Sequence, residues 1–356
     1  MPGSTSSSMA NGCHPSSSTD WEADPVSEPS PTPYADLTPD RVLDAVESLG
    51  YCVDGHLLAM NSYENRVYQI GVDDAEPVIV KFYRPGRWSD PQIIEEHCFS
   101  AELASHELPV IAPLRIDGET LHHHAGFRFA IWPRRGGRTP ELDDPEVLEW
   151  IGRLVGRMHA IGASRQFEYR LGLDIEHFGE QAADLLLDEQ WLPPELEDTY
   201  EGVVEQAIDE VNACFERAGN IRRIRLHGDC HRGNMLWTDA GPHFVDLDDC
   251  LSGPAMQDIW MLLAGDRAEM ADQLGHVLEG YRAFHDFDTR ELHLVEALRT
   301  LRQMHHAAWL ARRWDDPAFP LAFPWFDTQH YWQDHILALR EQIAAMQEGP
   351  LVLAGL

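Results

Sequence analysis

Leu226-His227-Gly228-Asp229-Cys230-His231-Arg232-Gly233-Asn234-Met235-Leu236-Trp237, followed by Phe244-Val245-Asp246-Leu247-Asp248-Asp249, decides the reading of this chain. Asp229 and Asn234 lie five residues apart on a polar loop. Met235-Leu236-Trp237 is an apolar run, and Asp239-Ala240-Gly241-Pro242 carries turn residues. Phe244-Val245 is a second apolar run that returns Asp246 toward Asn234. A hairpin here brings two carboxylates and one amide oxygen together at one end.

That set suits phosphoryl transfer from a nucleotide. A magnesium ion is a hard cation and takes carboxylate and amide oxygens, as Asn234 and Asp246 supply. A second carboxylate, Asp229, orients the acceptor hydroxyl and takes its proton late in the transfer. An unperturbed Asp, with pKa near ~4, is a weak base, so positioning carries most of the catalysis. The nucleotide also needs a cation. Lys81 stands in Val78-Ile79-Val80-Lys81, the strand context expected of a phosphate-binding lysine. It is the single lysine among 27 basic residues. The competing reading is a lysine-poor composition from which Lys81 survived by chance. Glu96 is expected to pair with Lys81, with Glu95 as the other candidate. Asn61-Ser62-Tyr63-Glu64-Asn65 lies ahead of Lys81, where a phosphate-covering loop belongs, and Ser62 can offer its hydroxyl and N–H. The segment holds no glycine, so a plain hairpin turn is the other reading.

Working outward, the hydrophobic period divides the chain. Thr38-Pro39-Asp40 starts a helix. Residues 51–133 read mostly as short strands, Val110-Ile111-Ala112-Pro113 and Thr120-Leu121-His122 among them, with one helix near 91–103. After about 140 the period becomes helical, as in Val147, Leu148, Ile151, Leu154, Val155 and Met158. Helices are expected near 176–188 and 195–218, a β interlude over 224–248, and helices again to about 347. Residues 1–33, rich in Ser and Pro, read as a disordered tail. The expected domains are this tail, a β-rich lobe over 34–135 and a helical lobe over 136–356, an α+β fold.

Composition narrows the partners. The 60 Asp+Glu residues against 27 Lys+Arg give a formal charge of −33, which disfavours nucleic acid and anionic lipid. No run approaches the roughly 18 apolar residues of a membrane span. Six scattered cysteines without a C-x-x-C pair read as reduced thiols. A cytoplasmic location is therefore expected. Consecutive His122, His123 and His124 point to alternate faces of a strand and cannot share one ion. His159, His305 and His306 read as packing residues. Asp248 and Asp249 are read as shaping the metal loop or pairing with Arg in the helical lobe, and Asp315-Asp316 as loop charges that can cap a turn before Pro317.

His227-Gly228-Asp229 with Asn234 and Asp246 resembles the catalytic and metal loops of aminoglycoside-phosphotransferase-like kinases, relatives of protein kinases. Longer strings resemble the bacterial stress response kinase A family: Asn61 to Gln69, Val80-Lys81-Phe82-Tyr83-Arg84-Pro85, Leu226 to His231, Phe244 to Asp249, and Arg312-Arg313-Trp314 with Asp316-Pro317-Ala318-Phe319-Pro320. The resemblance spans about residues 36 to 350. It implies an α+β, bilobal kinase fold with ATP between the lobes and adenine near Phe129 to Pro133, and an ATP- and magnesium-dependent kinase acting on Ser/Thr of proteins, itself included, monomeric and active in stress survival. By position it implies Asp229 as proton acceptor, Asn234 and Asp246 as magnesium ligands, Ser62 at the ATP site and Lys81 on phosphate. Asp246 is followed by Leu247-Asp248 rather than Phe-Gly, so a swinging metal loop is not implied. The alternative is a small-molecule kinase of the same fold, acting on an aminoglycoside or amino alcohol.

Overall fold

The computed structural model describes residues 32–353. Most of the expected tail, residues 1–31, lies outside the described residues. The first helix, α1 (Pro39–Glu47), starts where Thr38 accepts from the N–H of Arg41, with Pro39 in the first turn. Its buried Val42, Ala45 and Val46 lie on a five-stranded antiparallel sheet of order β1-β2-β3-β5-β4. The strands are β1 (Val53–Ala59), β2 (Arg66–Val72), β3 (Val78–Phe82), β4 (His122–His124) and β5 (Phe127–Pro133). Val78, Val80 and Phe82 of β3 face α1 together with Phe129 and Ile131 of β5. Strand alternation therefore turns Lys81 to the opposite face, paired in register with Ala130 and Val67. Across that face runs α2 (Asp90–Ser105).

Two expected strands are placed differently. Val110 does not join the sheet. The segment docks instead on β8 (Gly241–Phe244), where Ile111 N–H donates to Phe244 and Phe244 N–H donates to Pro109. The strand expected at Thr120-Leu121-His122 is β4, and it starts at His122. Its three side chains do alternate in exposure, as their positions on a strand require.

The rest is helical: α3 (Pro145–Gly162), α4 (Gln181–Asp188), α5 (Pro194–Ala218), α6 (Met256–Trp260), α7 (Arg267–Tyr281), α8 (Val295–Arg312), α9 (Ala318–Ala322) and α10 (Gln329–Gln347). One π-helical turn (Glu176–Glu180) leads into α4. Between α5 and α6 lie two small antiparallel pairs, β6 (Ile224–Leu226) with β9 (Leu251–Gly253), and β7 (Met235–Thr238) with β8. Helices α3 and α7 approach closely enough that a Cβ on Gly152 would lie 2.1 Å from the carbonyl oxygen of Val277. The two halves are tied by Arg225 of β6. It is buried, donates to Glu102 of α2 at 2.7 Å, and stacks over Phe99.

Two predictions follow from packing. Gly152→Ala overpacks the α3–α7 crossing and should cost about 1–3 kcal/mol, lowering Tm by roughly 2–6 °C by calorimetry. Gly202→Ala, in α5 with open space around its Cβ, should leave Tm unchanged or raised. Equal Tm for both would contradict the close crossing. The second concerns Glu291, 3% exposed, whose carboxylate accepts the N–H of Met256 at the start of α6. Burial pushes its pKa up to about 7. Between the ordinary carboxylate range and pH 7 the folded form holds a proton that the unfolded chain has lost. Wild-type stability should therefore fall relative to Glu291→Gln as pH rises through that window, by at most about 1.4 kcal/mol per pH unit. Denaturant titrations at pH 5, 6, 7 and 8 measure it, and parallel curves would contradict it.

Candidate active site between the sheet and the helices

The polar loop after β6 is fixed from behind. Asp258 of α6 has no exposed surface, and its carboxylate accepts the backbone N–H groups of His227 (2.9 Å) and Gly228 (2.8 Å). His159 of α3 reaches the same carboxylate at 3.0 Å and Tyr281 with its other nitrogen at 2.9 Å. Gly228 sits at φ 83°, and a Cβ there would be 2.1 Å from the carbonyl oxygen of Asp249. Glycine is required on both counts. The imidazole of His227 bonds the carbonyl oxygen of Val245, linking this loop to the strand that delivers Asp246.

Asp229 and Asn234 meet directly. The Asn234 amide nitrogen donates to the backbone carbonyl (2.9 Å) and carboxylate (3.2 Å) of Asp229, leaving the amide oxygen as the atom for a metal. Val245 N–H donates to the Asn234 carbonyl, as a hairpin requires. Arg302 of α8 lies 2.7 Å from one Asp229 oxygen, and His231 Nε2 lies 3.3 Å from the other. Because His231 Nδ1 accepts the Gly233 N–H, its proton is on Nε2, facing Asp229. Burial alone would raise the Asp229 pKa. The His231 and Arg302 contacts outweigh it and hold the carboxyl below its usual range, so it is ionised at neutral pH.

Asp246 follows in a left-handed backbone conformation, φ 60° and ψ 64°, which Asp tolerates better than bulkier residues. Its carboxylate is half exposed and lies 2.7 Å from Lys81 Nζ, across a sequence separation of 165 residues. Asp248 lies 3.8 Å from the same ammonium. Lys81 is 7% exposed, with Trp132 and Tyr83 rings 5.2 and 5.7 Å from Nζ. Burial disfavours the ammonium, but Asp246, Asp248 and Glu96 more than offset it and hold the pKa above the ordinary lysine value.

The two candidate acids on α2 separate clearly. Glu95 faces outward and accepts the backbone N–H groups of Glu168, Tyr169 and Arg170. Glu96 is buried on the Lys81 side, and its Oε2 has no hydrogen-bond partner. Burial raises its pKa to about 7, with Lys81 opposing. Its ion-pair partner is Arg170, 3.6 Å away, so the expected Glu96–Lys81 pair is not made here; Lys81 pairs with Asp246 and Asp248, which reach it first. Arg170 in turn donates to the carbonyl of Asp248 at 2.6 Å and tethers the metal loop to α2. Ser62 is half-buried in the β1–β2 loop, and its hydroxyl has no partner among the described residues.

Several contributors were not singled out from the sequence. The side chains of Asp248 and Asp249 pair with Arg87 of the sheet half, not with Arg of the helical half, and Asp248 also accepts from Asn65 at 3.0 Å. Asp316 caps the turn around Pro317 by accepting the Ala318 N–H at 3.1 Å, but it is not a solvated charge. It is 3% exposed and binds Arg66 and Arg84 at 3.0 and 2.6 Å. Asp258 and Arg302 carried no sequence signal. Arg66, Arg84 and Asp316 did fall within the strings that resembled the family.

The oxygen set of Asn234 and Asp246 fits a hard divalent cation, which would sit beside the ammonium of Lys81. Among the described residues no cluster of three His, Cys, Asp or Glu side chains offers a rival metal site, and no helix is long and apolar enough to cross a membrane. The phosphotransferase enzyme family matches residues 57–295. Stress response kinase A of Escherichia coli K12 is 44% identical over 320 residues, spanning 90% of this chain and 97% of that protein. Serine/threonine protein kinase RdoA of Salmonella typhimurium LT2 is 43% identical over the same shares. Among solved structures, the amicoumacin kinase hAmiN in complex with AMP-PNP, Ca2+ and Ami superposes with a TM-score of 0.68 at 21% identity, covering 88% of this chain and 95% of that one. A microcompartment-associated aminopropanol kinase superposes at 0.62 and 18% identity, covering 86% and 96%. With its kinase-like fold and this cleft, the chain belongs to the phosphotransferase enzyme family and, within it, to the stress response kinase A group.

Proposed function

We propose that this protein transfers the γ-phosphate of ATP, with magnesium, to Ser and Thr hydroxyls of proteins, itself included. The observation that carries the reading is the Lys81–Asp246 contact of 2.7 Å, with Asn234 and Asp229 on the adjoining loop. The names of the 43–44% identical relatives support a Ser/Thr acceptor and a role in stress survival. We divide the chain into a nucleotide-binding lobe over 34–135 and a catalytic lobe over 136–356, acting as a monomer in the cytoplasm.

In this reading the triphosphate enters between Lys81 and Asp246. Lys81 exchanges a carboxylate partner for phosphate oxygens, with the buried charge of Glu96 on its inner side favouring the ammonium form. Asn234 and Asp246 would hold magnesium, which would neutralise charge on the transferring phosphate. Ser62 offers its hydroxyl and N–H to the phosphates from above. Asp229 accepts a hydrogen bond from the acceptor hydroxyl and takes the proton once the bond to phosphorus is largely made. Its lowered pKa suits that late transfer, because Asp229 must be ionised when the acceptor arrives.

A second reading keeps the chemistry and changes the acceptor to a small alcohol, as the names of the amicoumacin and aminopropanol kinases suggest. Incubation with labelled ATP and magnesium separates the two. Label should appear on the chain itself and on a generic protein acceptor, and not on aminoglycosides or choline-like alcohols. Label confined to a small alcohol would overturn the protein-kinase reading. Asp229→Asn should lower transfer by roughly 10²–10⁴-fold while nucleotide binding persists. Undiminished transfer would remove Asp229 from the proton-acceptor role.

A further inference from the structure

One face of α8 reaches both ends of the cleft. Arg302, His306 and Trp309, with Arg313 just beyond the last helical residue, recur at intervals of four, three and four and share one side. Arg302 meets Asp229 at one end. His306 stacks on Trp309 in the middle, with centroids 5.4 Å apart. At the other end Trp309 Nε1 donates to Glu64, and Arg313 donates to the same carboxylate through Nε (2.8 Å) and Nη2 (3.1 Å).

Glu64 lies in the loop joining β1 to β2, and a carboxylate is an unfavourable neighbour for a triphosphate. Its side chain is only 12% exposed, so its charge is neutralised by protein. Three guanidinium groups surround it. Arg84 lies at 3.1 Å and Arg87 at 3.7 Å, but Arg84 also serves Asp316, and Arg87 serves Asp248 and Asp249. Arg313 has no second carboxylate among the described residues. Asn65 and Arg66 pin the same loop to Asp248 and Asp316.

We infer that Arg313 is a positioning residue for nucleotide: it holds the β1–β2 loop down through Glu64 and cancels the negative charge this loop would otherwise set against the phosphates. The inference rests on the reading that the nucleotide lies beneath this loop. Removing one member of a buried ion pair strands the other charge, whereas neutralising both members costs less. The sign of a double substitution is therefore fixed in advance. In Glu64→Gln the amide oxygen still accepts from Trp309, and no charge remains.

The test is titration calorimetry of the full chain with AMP-PNP and magnesium. Arg313→Met should raise Kd about tenfold or more. Glu64→Gln combined with Arg313→Met should return Kd to within about threefold of wild type, and Arg313→Lys, which keeps the charge, should also stay within about threefold. KM for the protein acceptor should be the same in all of them. Unchanged binding by Arg313→Met, or a double variant as weak as the single one, would overturn the inference while leaving the kinase reading intact. A wild-type chain that binds no nucleotide would overturn both.

Discussion

A buried ammonium needs a counter-charge, and in this protein the demand is met from the other half of the chain. Lys81 sits on the inner face of the sheet beside Ala130, Trp132 and Tyr83, where water is largely excluded. Transferring an unpaired ammonium there would cost several kcal/mol. Asp246 and Asp248, carried in by the β7–β8 hairpin and the turn after it, offset that cost. The charge constraint therefore sets how the two halves face one another. It also leaves the counter-charge accessible: the Asp246 side chain that balances Lys81 is half exposed to solvent.

The carboxylates that must not move are held differently. Asp258 grips two successive backbone N–H groups of the loop bearing Asp229, and His159 and Tyr281 fix Asp258 in turn. Arg170 tethers the metal loop to α2, whose Glu95 accepts the N–H of Arg170 itself. Each loop end is set by groups from elements far away in sequence. The geometry is thus built into the fold before any ligand arrives, as electrostatic catalysis requires.

How much of this was legible follows from the same separation. Asp229, Asn234 and Asp246 lie within 18 residues, so local turn chemistry and strand pattern brought them together on paper. Lys81 was legible because a lone lysine on an apolar strand is chemically odd. Glu96 could not be told from Glu95 by sequence, since helix phase alone leaves both on a polar edge; in the fold Glu96 is buried beside Arg170 and Glu95 caps the 168–170 backbone, while neither forms an ion pair with Lys81. The pairing of Asp248 with the sheet half and the burial of Asp316 were not legible, because their cations, Arg87, Arg66 and Arg84, lie 161 to 250 residues away. Arg302 and Arg313 look like solvated helix charges until the fold lays α8 along the cleft. The expected strand at Val110 became a bridge to β8, an outcome of tertiary docking that periodicity does not encode.

The most direct measurement is a crystal structure of the full chain with AMP-PNP and magnesium. The account predicts phosphate oxygens within hydrogen-bond distance of Lys81 Nζ, a metal ligated by Asn234 and Asp246, and the γ-phosphate facing Asp229. Nucleotide bound elsewhere, with the Lys81–Asp246 contact intact, would contradict it.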